Sequence, residues 1–283
     1  MTTVLPREAA AVPAPSRLKA RIEAVVVGRF APTVTLLAYL FLFVPIVVLI
    51  AYSFNAGRST VVWTGFTFDW YREVFDDRGI GRSLRVSLIV AAASAAISTA
   101  IGTLAALAIV RNRFTGRDAL STLMMAPLVL PEIVIAVAFL VLMVVGGITL
   151  GYFTLITGHV LVSIPYTMLI VRAAASALDR RLEEAAADLG ANELQVFLRV
   201  TLPLLMPAIF TAFLLAATLS FDNFVMSVFT SGVGTTPLPI QIYSMLKLGI
   251  TPEINALGAL MVLVNVVVVV AVLARHLRLI VRR

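Results

Sequence analysis

The chain has 283 residues, of which 60% are hydrophobic and 13% charged, and its mean hydropathy is +1.02; soluble domains carry roughly 25% charged residues, so a bilayer must solvate much of this apolar surface. With no cysteine, disulfides, thiolate metal sites and Cys nucleophiles are excluded, and His159 and His276 stand too far apart in sequence to suggest a metal cluster. The formal charge of +7 fits arginine-rich loops at one membrane face, and no nucleic-acid partner is expected.

Residues 1–30 read as a polar N-terminal tail with basic Arg7, Arg17, Lys19, Arg21 and Arg29. The tail is too long, and the apolar run after it too extended, for a cleaved signal peptide. Six apolar spans are expected near 34–54, 84–110, 120–145, 153–171, 207–229 and 255–274. Each approaches the ~20 residues that cross the hydrocarbon layer as a helix, and open strands would leave backbone groups unpaired in lipid. The expected fold class is therefore an all-α membrane protein: one six-helix domain over 31–278, with 279–283 as a short C-terminal end. In the first loop, residues 55–82, an interfacial helix is expected from about Asp69, with Trp70 and Tyr71 at headgroup depth. Pro127 and Pro131 in span three, four residues apart, are expected on one face of a kinked helix. Gly146, Gly147 and Gly151 mark a tight turn into span four, and His159 there suits a helix–helix hydrogen bond better than a proton relay. The segment 232–253 reads as a loop stiffened by Pro237 and Pro239, with Tyr243, Met245 and Leu246 as an apolar patch.

Lysines and arginines divide unevenly between the two sides. The tail holds five; Arg111, Arg113, Arg117, Arg172, Arg180, Arg181, Arg199, Arg275, Arg278, Arg282 and Arg283 bring that side to sixteen. Arg58, Arg72, Arg78, Arg82, Arg85 and Lys247, six in all, fall on the other. Both termini are therefore expected in the cytoplasm.

Between spans four and five, residues 179–207 form a polar, helix-prone interruption. Asp179 is placed to cap a helix whose first turn holds Glu183 and Glu184. Ala185, Ala186 and Ala187 favour helix and add little bulk. Gly190 suits the left-handed position that ends a helix, and Asn192 with Gln195 can form a capping box for a second one. Leu194, Phe197, Leu198 and Leu202 give that second helix an apolar stripe. Pro203 and Pro207 are expected to break the chain as it re-enters the membrane. Within the spans, only Glu132 and Asp222 put a carboxylate well inside. At ~2.5–3.5 kcal/mol for Asp on insertion scales, such a group should face the bundle interior or water, where it would suit a cationic solute.

The spacing Glu184-Ala185-Ala186, Gly190, Leu202-Pro203, Pro207 resembles the EAA loop of the inner-membrane permease subunits of binding-protein-dependent ABC importers. The resemblance implies a type I importer permease fold and a coupling site of Glu183, Glu184, Ala185, Ala186, Asp188, Leu189, Gly190, Ala191, Phe197, Leu202 and Pro203. It also implies a second homologous permease subunit, two ATPase subunits carrying the ATP and Mg, an extracytoplasmic solute-binding protein, and no cofactor or catalysis in this chain. No G-x-x-x-x-G-K-[ST] phosphate loop is present. Residues 219–224 (LSFDNF), 126–136 (APLVLPEIVIA) and 230–258 are similar to the spermidine/putrescine permease subfamily, with the likeness running from about Thr33 onward. Asn223 departs from it, since the subfamily usually carries two acids there. Substrate-path candidates are Asp222, Asn223, Glu132, Phe221 and Tyr166, and the expected cargo is a polyamine, a related cation or an amino-acid-like compound. An ion-coupled carrier would leave the 179–207 segment unexplained, and it would want relays and discontinuous repeats not evident here. A membrane-embedded enzyme would need a reactive constellation that these residues do not form.

Overall fold

The computed structural model describes the backbone of residues 28, 30–58, 62–249 and 251–281, and their side chains except 268, 269 and 271–281. The tail expected over 1–30 and the His276 side chain fall almost wholly outside these.

Helix α1 (Ala31–Tyr52) is apolar throughout and buries none of its residues. After an aromatic loop, α2 (Asp69–Asp76) starts where the sequence places it. Its rings turn inward: Trp70 Nε1 donates to the Asn55 carbonyl at 2.7 Å, and the Tyr71 hydroxyl lies 2.6 Å from Ser53 Oγ. Asp77 then caps α3 (Arg78–Arg111) by accepting from the Gly79 and Ile80 amides. At 1.5 Å per residue this 34-residue helix is ~51 Å long, well beyond the hydrocarbon thickness.

Span three is not one kinked helix. It divides into α4 (Arg117–Val129) and α5 (Glu132–Val145), bent by 108°. The cause is local: Pro131 pushes the residue before it out of helical geometry, and Leu130 is extended at φ −81°, ψ 140°. Pro127 lies within α4 while Pro131 precedes α5, so the two prolines do not share a helical face. Gly147 makes the turn to α6 (Tyr152–Ala177) at φ +67°.

After α6 come α7 (Arg181–Asp188) and α8 (Glu193–Val196). A π-helical stretch (Phe197–Thr201) leads into α9 (Leu202–Phe221), so that Glu193–Phe221 forms one 29-residue apolar unit. The break expected at Pro203 and Pro207 does not occur. Pro203 sits in the first turn of α9, where a missing N–H costs little, and Pro207 is accommodated inside the helix. The interruption comes instead at Asp222–Asn223, short of the expected end of span five, and α10 (Phe224–Thr230) follows. The presumed loop beyond it contains α11 (Leu238–Leu248), with Pro239 in its first turn. The last helix is α12 (Pro252–Val281).

Among the described residues, four helices are long and apolar enough to cross a membrane, or five if the bent α4–α5 pair counts as one; α12 adds an apolar stretch over Pro252–Val267. The core is the packing of α3, α6 and α9 around Ala106, Ile109, Met168, Val171 and Ala212. Small residues let the backbones close up, as in membrane bundles generally. A Cβ added to Gly102 would lie 2.1 Å from Thr167 Oγ1 and 2.8 Å from the Met168 amide nitrogen.

Candidate functional site

The first part of the site is the hairpin of α7 and α8 at the arginine-rich end of the bundle. Asp179 Oδ1 accepts the Arg181 amide at 3.0 Å. Helix α7 ends at Gly190, which takes φ +89°, with the Ala191 amide donating back to the Ala186 carbonyl at 3.1 Å. The Asn192 and Gln195 side chains exchange hydrogen bonds with each other's amides at 2.9 and 3.0 Å, the expected capping box. Glu184, Ala185, Asp188, Gly190 and Pro203 are exposed, and Leu189 is 90% exposed. Ala186, Ala191 and Leu202 are half-buried, while half-buried Phe197 packs beneath on Leu107, Ala175 and Leu205. Of the apolar stripe, then, Phe197 and Leu202 turn toward the bundle; Leu194 and Leu198 face outward. Glu183 also points inward, to Arg111 and Thr201.

The second part lies where the two interrupted spans meet. Asn223 caps α10 by accepting the Met226 amide at 2.8 Å, and its side-chain nitrogen donates to Glu132 in the first turn of α5. The structure thus joins Glu132 and Asn223, which are far apart in sequence, at the two breaks. Asp222 is exposed beside Asn223, with the Asn265 side chain of α12 nearby. Phe221 is half-buried against the cluster of Val74, Ile80 and Leu238. Tyr166 is exposed on α6, two turns beyond His159, and no hydrogen bond joins it to the Glu132–Asn223 pair among the described residues.

His159 is a helix–helix hydrogen bonder. It is 1% exposed; its Nδ1 lies 2.7 Å from Ser220 Oγ and its Nε2 3.2 Å from Ser227 Oγ, so the ring bridges both sides of the Asp222–Asn223 break. Ser94 on α3 donates to Ser220 at 2.9 Å. The sequence reading missed these serines, together with Arg111, Thr201 and Asn265. The available signal was a run of small polar residues inside apolar α3, whose buried face includes Ser83, Ser87, Ser94 and Ser98. Among the described residues no three His, Asp or Glu side chains converge as a metal site.

This arrangement has counterparts among known proteins. Residues 98–283 match the family described as binding-protein-dependent transport system inner membrane component. The spermidine/putrescine transport system permease protein PotC of Haemophilus influenzae is 38% identical over 82% of this chain and 90% of its own length. The putrescine transport system permease protein PotI of Escherichia coli is 38% identical over 80% and 83%. In fold, the chain is similar to a subunit of a bacterial ABC transporter involved in the import of alginate, at a TM-score of 0.69 and 20% identity, covering 92% of this chain and 98% of that one. It is also similar to a chain of the MetNI methionine ABC transporter, at 0.55 and 19%, covering 71% and 94%. The chain belongs to this family: it is the multi-pass inner-membrane permease component, without an ATPase domain or cofactor of its own, of a bacterial binding-protein-dependent ABC importer, and it is homologous to the spermidine/putrescine permeases.

Proposed function

We propose that the chain passes polyamines or a closely related small cation into the cytoplasm by alternating access, worked by an ATPase docked on the α7–α8 hairpin. The observation that carries this reading is the meeting of two helix breaks at Glu132 and Asn223, with Asp222 beside them. Irregular backbone is tolerated at membrane depth only where protein buries it or a water-filled cavity is lined by it. A carboxylate there is costly unless paired or facing such a cavity. Transporters place substrate sites at discontinuous helices, and these acids would attract an ammonium group. The relatives at 38% identity are named for spermidine and putrescine, both cations.

In this reading six helices span the membrane and both termini face the cytoplasm, as the sixteen-to-six division of basic residues favours. One bundle forms half a pathway, completed by a second homologous permease. Two ATPase subunits sit below. Glu184, Ala185, Asp188, Leu189 and Gly190 offer one of them an exposed, low-bulk surface. A binding protein delivers solute above, near α11. Nucleotide-driven closure of the ATPases moves the hairpins, and the two bundles rock between inward- and outward-open states.

The test is uptake of labelled putrescine and spermidine by the reconstituted complex. Asp222→Asn and Glu132→Gln should each raise the half-saturating concentration by about tenfold, equivalent to ~1.4 kcal/mol of lost attraction. Unchanged uptake in both variants, or amino acids competing better than amines, would rule the reading out.

A further inference from the structure

Two consecutive glutamates open α7, and they face opposite ways. Glu184 is exposed. Glu183 is 18% exposed, and one of its carboxylate oxygens accepts from both the Arg111 guanidinium and the Thr201 hydroxyl. Arg111 also donates to Thr201 at 3.1 Å, which closes the cycle. The three residues belong to three different elements. Arg111 is the last residue of α3, Glu183 lies in the first turn of α7, and Thr201, fully buried, ends the π-helical stretch before α9. Beside them Arg180 donates to the main-chain carbonyls of Val110 and Arg111 at 3.2 and 3.5 Å, occupying the unpaired C-terminal end of α3. Arg111–Glu183 is the one ion pair among the described residues.

Along its own chain α7 is flanked by the extended Leu178 (φ −73°, ψ 129°) on one side and the Gly190 turn on the other. The joint fastens α7 to the end of α3. Helix α3 runs the depth of the bundle, and at its far end Ile80 packs with Val74, Leu238, Ala256 and Leu257 from α2, α11 and α12. Charge-assisted hydrogen bonds in a half-buried setting are stronger and more directional than neutral ones.

We infer that Glu183, Arg111 and Thr201 form a force-transmitting joint that carries hairpin displacement into α3 and so to the opposite face. Glu183 is then a positioning residue, not a contact for the ATPase. This rests on the proposed docking of the ATPase at the hairpin, and two sets of variants keep the two ideas apart. In the complete importer, reconstituted in vesicles with its ATPase and supplied with labelled putrescine, Glu183→Gln and Thr201→Val should keep ATPase co-purification and lower solute moved per ATP by about tenfold, within the usual range of coupling between sites. Thr201→Ser should behave as wild type. The charge swap Arg111→Glu/Glu183→Arg should recover much of the ratio that either single change loses. Wild-type solute per ATP in Glu183→Gln would overturn the joint, as would loss of the ATPase from that variant. Separately, Glu184→Lys or Leu189→Asp leaving the ATPase bound would overturn the docking reading.

Discussion

At the scale of single residues, Gly190 and His159 show two different kinds of constraint. Gly190 holds φ +89°, yet nothing lies within 4 Å of where its Cβ would stand. Any penalty for a side chain there is conformational, ~1–2 kcal/mol for an ordinary L-residue in this region. Asn visits this conformation readily. Gly190→Asn should therefore keep more ATPase co-purification than Gly190→Val, and equal loss in both would mean that the glycine is needed for close approach of a partner instead. His159 is constrained by its neighbours. His159→Ala removes bonds to Ser220 and Ser227; interhelical hydrogen bonds in membranes average about 0.6 kcal/mol. The cavity left by a buried ring adds more, so a total loss of ~2–3 kcal/mol is expected, read as a lower midpoint in detergent thermal unfolding. Because the ring bridges hydroxyls, His159→Gln should regain part of that stability and retain uptake; complete loss of uptake with a normal midpoint would point to proton transfer instead. Gly190 and the Asn192–Gln195 box were legible in the sequence because the chemistry that specifies them is contained in a few adjacent residues. The partners of His159 were not, since they lie 61 and 68 residues away and depend on how α6 is rotated against α9 and α10.

At the scale of elements, hydropathy located the oily runs but not their direction. The run over 120–145 has the length and composition of a single span, yet α4 and α5 meet at 108°. The clue was present at Leu130-Pro131, because a residue before proline avoids helical geometry. The local Leu130-Pro131 geometry makes the break, and the bond from Asn223 to Glu132, which opens α5, ties it to the other interrupted span. Span five shows the opposite outcome. Pro203 and Pro207, read as breakers, lie within the continuous run 193–221: Pro203 stands in the first turn of α9 directly after a π-helical stretch, and Pro207 is accommodated inside the helix. The two prolines of span three should consequently respond differently. Pro127→Ala restores an amide that can bond within α4 and should leave the protein equal or more stable, since an internal proline costs a helix ~3 kcal/mol. Pro131→Ala releases Leu130 from its extended preference and should lower putrescine uptake while leaving thermal stability nearly unchanged. Equal effects of both changes on uptake would show that the break does not matter to transport.

At the scale of the whole molecule, the bundle and its hairpin were readable because bilayer thickness and the loop pattern leave few arrangements. Which apolar faces meet other chains was not, as lipid and a partner helix are equally oily. Helix α1 illustrates this: all its residues are outside the buried core, and nothing in its composition says what covers it. The proposed orientation, by contrast, is argued from charge. One side carries ten more basic residues than the other, sixteen against six, and each positive charge on the negative side of the membrane gains about 2.3 kcal/mol per 100 mV. Inverting the bundle would forfeit a sizeable part of that even if only residues near the helix ends count. The absence of cysteine allows a clean measurement. Leu189→Cys lies on the hairpin, 90% exposed, and Val233→Cys on the opposite loop, fully exposed. In right-side-out vesicles a membrane-impermeant maleimide should label Val233→Cys and spare Leu189→Cys, and inverted vesicles should reverse the pattern. Labelling of Leu189→Cys from the outside would put the hairpin beyond the reach of any cytoplasmic ATPase. It would remove the basis for energy coupling through α7, since among the described residues no other exposed segment combines the Glu-Ala-Ala turn, the left-handed Gly190 and a direct bond to the end of α3.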